Sequence, residues 1–320
     1  MKNSKISWCD HTFNPWIGCT KVSPGCANCY AKALNKRFAG GANWGLFAPR
    51  RRTSVDYWRK PFLWNAEYER ALNYFEEVPT YAPAGSILPK EPSRPRVFCG
   101  SICDVFDKEV PPQWLADLFA LINATPSIDW LLLTKRPQNW LNRTRAACYD
   151  CDYEETNERY LINSGAWSAS WMSGKPPANV WLGTSVEDQQ RADERIPLLL
   201  AIPAKVRFLS CEPLLSAVNL RGTSYGPDWL EGWDVEAVRT SEDECEPQQF
   251  QTEKIDWVIC GSESGPKRRE MKIEWASSLR DQCAAAGVPF FMKQLEVAGK
   301  VAHDPDLFPQ DLRVQEFPSP

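Results

Sequence analysis

The chain has 320 residues, of which 43% are hydrophobic and 24% charged, with a formal net charge of −4. No apolar stretch approaches the about 18 residues of a membrane span, and the N-terminus MKNSKISWCDH lacks the apolar segment of a secretory signal, so a cytoplasmic protein without membrane association is expected. In that compartment twelve irregularly spaced cysteines point to metal or redox work and not to a disulfide scaffold.

The charge is unevenly spread. Residues 1–70 carry 12 Lys and Arg against 4 Asp and Glu, whereas residues 222–254 carry 9 acids against 2 bases. One segment therefore supplies the acidity, and the low isoelectric point argues little against a polyanionic partner.

In chain order, a first strand is expected over Phe13–Ile17. Next comes Cys19-Thr-Lys-Val-Ser-Pro-Gly-Cys26-Ala-Asn-Cys29, three thiols within eleven residues, bent by Pro24-Gly25 into a turn. Soft thiolates at this density select zinc or an iron–sulfur cluster. Structural zinc wants four protein ligands, which Cys9 or His11 would complete, whereas three cysteines on a four-iron cluster leave one iron open to a cofactor or substrate. The loop leads into a helix with Tyr30, Leu34 and Phe38 expected inward, Lys32, Lys36 and Arg37 outward, and Gly40-Gly41 as its stop.

Residues 40–95 show weak periodicity but interleave cations with aromatics. Arg50, Arg51, Arg52 and Trp58 are candidate nucleic-acid contacts there, because cations meet phosphates and aromatic faces stack bases. A solvated basic face over core tryptophans explains the same composition.

Beyond this, short apolar runs recur at Arg96–Ser101, Asp129–Lys135, Asn179–Ser185, Lys205–Cys211, Asp256–Gly261 and Val288–Gln294. Nearly continuous runs of this length suit strands buried on both faces of a parallel sheet. Helical patterns lie between them, one from Pro111-Pro112 with Leu115, Leu118, Phe119 and Ile122 on one face, another from about Ile273 with Ala276, Leu279 and Cys283 inward and Gly287 as C-cap. The expectation is an α/β fold: a complete or partial parallel (β/α) barrel of the TIM-barrel type over residues 1–303, with a doubly wound sheet as the alternative. Residues 145–178, containing Cys148-x2-Cys151, and the acidic residues 222–254 are expected to be surface insertions, and residues 304–320 an extended tail. A second zinc site on Cys148, Cys151 and Cys245 is the lesser reading, because no fourth ligand is evident. Cys99, Cys211, Cys260 and Cys283 read as buried small hydrophobes.

In a parallel barrel the C-terminal strand ends face the site. That makes Gly100, Ser101 and Asp104 candidates to meet a cofactor's amino-acid moiety, Lys135 and Arg136 a carboxylate or phosphate, and Ser185 and Glu187 ribose hydroxyls. Glu212 and Gly261 close two further strands. Singly, each reads equally well as a helix cap or loop residue.

FNPWIGCTKVSPGCANCYA, with GSESG and GVPFFMKQL later, resembles a phage-associated three-Cys-motif family of unassigned function, itself similar to radical S-adenosylmethionine (SAM) barrels and distantly to spore photoproduct lyase. The resemblance covers nearly all the chain outside the two insertions. It implies a [4Fe–4S] cluster on Cys19, Cys26 and Cys29, with SAM at the open iron cleaved to a deoxyadenosyl radical. It also implies an external electron donor and a three-Cys-motif partner protein. Here the spacing is C-x6-C-x2-C in place of the common C-x3-C-x2-C, and Asn28 stands where an aromatic usually precedes the last cysteine. The expected function is radical modification or repair of nucleic acid. Alternatives are the same cofactor acting on a peptide or small metabolite, and a non-catalytic zinc-stabilised nucleic-acid-binding protein.

Overall fold

The apolar runs become the strands of one sheet because both of its faces are covered. A computed structural model describes residues 3–78, 88–149, 164–222, 226–239, 245–265 and 267–319. The sheet holds β1 (His11–Phe13), β2 (Arg96–Cys99), β3 (Asp129–Thr134), β4 (Val180–Ser185), β5 (Val206–Cys211), β6 (Trp257–Gly261), β7 (Phe290–Val297) and β8 (Lys300–Ala302). Spatial order equals chain order; β1 to β7 are parallel and β8 returns antiparallel on β7. Sequential order excludes the doubly wound alternative, whose strand order reverses at a switch point. The sheet is open, with β1 and β8 at its ends, so the barrel is a half-barrel and not a closed one.

Alternation along each strand sorts side chains onto two faces. Val97, Trp130, Val180, Leu209, Val258 and Phe290 point to the outer face and share a core with the helices. Those are α1 (Tyr30–Ala39), α2 (Lys60–Glu77), α3 (Pro112–Asn123), α4 (Trp140–Tyr149), α5 (Ser164–Met172), α6 (Gln189–Leu200) and α7 (Ile273–Ala286), with α1 standing apart from that core. Their neighbours in sequence, Phe98, Leu131, Trp181, Phe208, Trp257 and Phe291, fill the concave side with Trp8. Trp257 is the hub of this floor, its ring centroid 6.0 Å from Trp181, 5.8 Å from Phe208, 6.3 Å from Trp8 and 5.4 Å from Phe317. Gly183 lets the Phe208 ring lie across β4, in the space a Cβ would take.

Several expectations change. Trp16–Ile17 leaves the main sheet to form a small ribbon with Arg51–Arg52. The 18-residue α2 lies where periodicity was weak, because it buries only Pro61, Trp64 and Asn65 along most of its length. The described part of residues 145–178 is not a surface insertion: Trp171 is fully buried and its ring meets Phe119 and Trp140 at 5.8 and 5.7 Å, so α5 belongs to the helical layer. Cys151 lies outside the described residues; Cys148 is buried with its thiol donating to the Gly165 carbonyl. The acidic segment forms an antiparallel ribbon, Trp233–Arg239 with Cys245–Gln251. Residues 314–316 run back along β7, with Met292 N–H donating to Val314 O at 2.8 Å, and Phe308 and Leu312 are buried. No helix among the described residues is long and apolar enough to cross a membrane.

Candidate functional site

The strand ends open into one cavity of about 660 Å³, within the range of small-molecule sites. Its floor is apolar, from Trp8, Phe98 and Leu133; its walls are the polar residues that close the strands. The cysteine loop lies over it, and Cys19, Cys26 and Cys29 all line it. So do Gly100, Ser101, Asp104, Lys135, Arg136, Ser185 and Glu212, seven of the nine residues expected from strand ends.

The other two act from behind. Glu187 is fully buried and accepts the Gly25 N–H at 3.2 Å and an Arg195 N–H at 2.9 Å, so it anchors the loop and does not itself line the cavity. Gly261 sits between the side chains of Glu212 and Gln294.

Asp104 and Arg136 form the second anchor. Asp104 accepts from Thr134 Oγ1 at 2.7 Å and from Lys135 N–H at 2.9 Å, and pairs with Arg136 at 2.8 Å. Arg136 in turn points Nη1 and Nη2 at Cys19 Sγ, 3.5 and 3.6 Å away, and donates to Thr20 O at 2.7 Å. Burial lowers the charge preference of this guanidinium, but Asp104 outweighs it and holds the group protonated. Burial pushes the Cys19 thiol up to about 12, a rise that Arg136 moderates.

A third anchor was not foreseen. Asn28, at the position that departs from the aromatic pattern, donates to Glu263 Oε2 at 3.0 Å and to Lys267 O at 2.8 Å. Glu263 also takes Arg269, and these hydrogen bonds hold its carboxyl below the usual range despite burial. The GSESG turn carries the signal for this contact, but only the folded chain reveals that it reaches the cysteine loop.

The basic quarter divides. Arg50 is buried, with Nε on Asp107 at 2.8 Å and its other nitrogens on Gly45 O, Ala48 O and Thr20 Oγ1, so it is withdrawn from nucleic acid. Trp58 is also buried, edge-on to Phe13, under an Arg52 guanidinium 4.4 Å above its ring that pairs with Asp117. Arg51 is exposed and, among the described residues, is the one of these four candidates that neither is buried nor pairs with a carboxylate. The strand pairing with Trp16–Ile17 explains the split, since alternate residues turn to opposite sides.

Among the described residues no group of three or more His, Cys, Asp or Glu is arranged to hold a metal ion. What the loop offers is three thiols, each beside donors suited to thiolate: Arg136 at Cys19, the Ser23 hydroxyl 3.9 Å from Cys26, and the Ala31 and Lys32 N–H groups at Cys29, whose thiol burial otherwise pushes up. That donor set fits soft-metal ligation. Neither Cys9 nor His11 lines the cavity; Cys9 donates to Ile6 O, and His11 stacks on Trp64 at 4.4 Å. Cys103 does line it, and burial raises its thiol well above the ordinary value.

Comparison with curated proteins and with solved structures returned no match. Residues 3–304, nearly the whole chain and the entire cavity, match one family, and the chain belongs to it: a protein of unknown function (DUF5131).

Proposed function

We propose that the chain is a radical SAM-type enzyme in which Cys19, Cys26 and Cys29 hold a [4Fe–4S] cluster and the cavity takes SAM together with the substrate. The observation that carries this reading is the position of all three thiols on one loop over the C-terminal ends of a parallel half-barrel, where such folds place their chemistry. Bound there, the cluster would supply an electron for reductive cleavage of SAM, and with it hydrogen abstraction from an unactivated carbon. The chain's own contribution is a fixed frame. Glu187, Arg136 and Asn28 hold the loop at three points, so that thiol ligands are presented with little conformational freedom left to lose. Lys135 and Ser185, both lining the cavity, offer donors for carboxylate and hydroxyl groups of a ligand. The structural-zinc reading loses support, because Cys9 and His11 are directed elsewhere.

Nucleic acid remains a substrate only if one nucleotide leaves the stack to enter the cavity. A small metabolite needs no such step, and the burial of Arg50 and Trp58 favours it. Anaerobic reconstitution with iron and sulfide, followed by addition of SAM and dithionite, tests the enzyme class. About four irons per chain and release of 5′-deoxyadenosine are expected, with both lost on Cys→Ala change at positions 19, 26 or 29. Iron uptake that survives those changes would sink the reading. Salt-dependent binding of DNA or RNA separates the two substrate classes.

A further inference from the structure

Strand β7 delivers two consecutive side chains to the cavity. Phe290 and Met292 belong to the outer core and Phe291 to the concave floor, yet the next residue of the outer core is Leu295 and not Gln294. The pairing gives the reason. Cys260 of β6 lies opposite Met292, and the next residue, Gly261, lies opposite Gln294, so β7 carries one extra residue at its end. A bulge of this kind re-aims a side chain beside a site. Lys293 and Gln294 therefore both line the cavity. Lys293 pairs there with Glu212, which follows β5. Gln294 Nε2 donates to Ser262 O at 2.6 Å and to Ser264 Oγ at 2.9 Å. Because a carbonyl only accepts, these contacts fix which way the amide points. Its Oε1 is left without a partner among the described residues, and so is the Ser262 hydroxyl beside it. Ser262 and Gln294 are 2% and 0% exposed, and both line the cavity. Buried polar groups left unmade are costly, and a ligand that completes them removes that cost.

Gly261 makes room for such a ligand. By alternation it follows Trp257 and Ile259 on the concave face, and a Cβ there would stand 3.2 Å from Glu212 Cγ and 3.3 Å from Gln294 Cγ. Its φ lies outside the left-handed region, so glycine supplies space between the two side chains and not a turn. Charge then selects the class of ligand. Glu212 is matched by Lys293 and Glu263 by Arg269, which leaves this end of the cavity balanced. Lys5 and His303 also line the cavity, but both stand exposed to water. The β2–β3 end instead sets two cations, Lys135 and Arg136, against Asp104. An anionic group is matched at that end and an uncharged one at the β5–β7 end. Gln294 Oε1 requires a donor, and the Ser262 hydroxyl beside it can donate in return. A carboxamide presents an N–H next to a C=O on one edge and keeps apolar faces for the floor of Trp8 and Phe98. A polyol would turn some of its hydroxyls toward that floor, where they would go unpaired.

We infer that Ser262 and Gln294, with the Glu212–Lys293 pair, form a subsite for the uncharged carboxamide group of a substrate, separate from the part of the cavity that takes SAM. The subsite stands on these contacts alone; its role beside SAM rests on the function proposed above.

The test titrates the full chain, without iron, with probes that share one ring and differ in the head: benzamide, benzamidine, acetophenone and benzoate, followed by ligand-observed NMR. Benzamide should bind at least about tenfold more tightly than the cationic benzamidine and the donor-free acetophenone. Benzoate has the cationic end open to it, so for benzoate the variants decide. Gly261→Ala, which fills the gap, should weaken benzamide about tenfold or more and leave benzoate unchanged. Ser262→Ala should weaken benzamide about threefold to tenfold while the urea midpoint stays or rises, since it removes a hydroxyl that has no partner in the free chain. A serine with only a structural role would lower the midpoint and spare the affinity. In reconstituted protein, SAM should leave benzamide bound. No benzamide binding, benzamide affinity that both variants leave unchanged, or benzoate affinity that falls in parallel with it overturns the subsite. Displacement by SAM puts the amide on the cofactor's own site and overturns the assignment to substrate. Benzamide binding by a chain that takes up no iron upholds the subsite and overturns its role beside SAM; iron uptake without benzamide binding overturns the subsite and leaves the cluster standing.

Discussion

The carboxylate of Glu187 meets the Gly25 N–H at 3.2 Å, joining the end of β4 to the middle of the cysteine loop 162 residues earlier. A Cβ on Gly25 would stand 3.0 Å from Glu187 Cδ, and Glu187 cannot retreat because Arg195 holds its other oxygen. Gly25→Ala should therefore push the loop off its anchor, costing about 1–3 kcal/mol by overpacking and reducing iron retained after reconstitution. Urea melts and iron counts check this; wild-type iron retention would show that the anchor does not position the thiols.

The same carboxylate predicts a pH dependence. Burial alone would raise its pKa, but Lys135 and Arg195, with hydrogen bonds from Ser23 and Gly25, outweigh that and hold it below the ordinary 4.5. A group depressed in the folded state contributes stability above its unfolded pKa and loses it as pH falls through the folded one. The wild type should thus lose stability in acid, starting near pH 4.5, while Glu187→Gln loses less over that interval. At neutral pH the variant should be destabilised by about 3–5 kcal/mol, since Arg195 keeps a buried charge without its partner. Denaturation curves at neutral pH and through the acid range decide it; parallel acid profiles would assign the transition to other carboxylates.

Much of this site was legible in sequence because strand ends announce themselves. An apolar run that closes on small or polar residues fixes both the strand and the side of the sheet where those residues gather, and Gly100, Asp104, Lys135 and Ser185 follow from that rule alone. Glu187 was legible as a site residue but not in its role, since nothing local says that its partner is Gly25. Arg50 and Trp58 failed for a related reason. Composition identifies a basic aromatic segment, but Asp107 and Phe13, which draw the two side chains inward, lie far away in the chain. The helix α1 inverts the ordinary rule: its spacing of apolar residues is that of a core helix, yet Tyr30, Leu34 and Phe38 are exposed.

The aromatic floor yields a prediction independent of any cofactor. Gly183 faces the concave side, where the Phe208 ring occupies the space a side chain would need. Gly183→Ala must displace that ring against Trp257, its neighbour at 5.8 Å, and through it Trp8 and Trp181. A loss of about 1–3 kcal/mol is expected, with a change in the near-ultraviolet tryptophan signal and reduced cavity volume. Unchanged stability in urea melts would mean that the floor is less tightly packed than these distances state.

Arg136 carries the most chemistry of any single side chain here, because one guanidinium serves Asp104, Thr20 O and Cys19 Sγ at once. A planar fork can satisfy three acceptors in fixed directions; an ammonium of the same charge cannot. Burial drives the Cys19 thiol up to about 12, and the guanidinium works against burial by favouring thiolate. Removing it in Arg136→Met should raise that pKa further, so the thiolate fraction at mildly alkaline pH falls, and with it the rate of alkylation by iodoacetamide. A decrease of about tenfold or more is expected, with Arg136→Lys intermediate, followed by mass spectrometry of the Cys19 peptide in cluster-free protein. Iron uptake should fall in the same order, because ligation also needs the thiolate. The competing outcome has a clear signature. If Arg136→Met alkylates as fast as wild type or faster, the guanidinium does not favour the thiolate and serves only to fill space over Cys19.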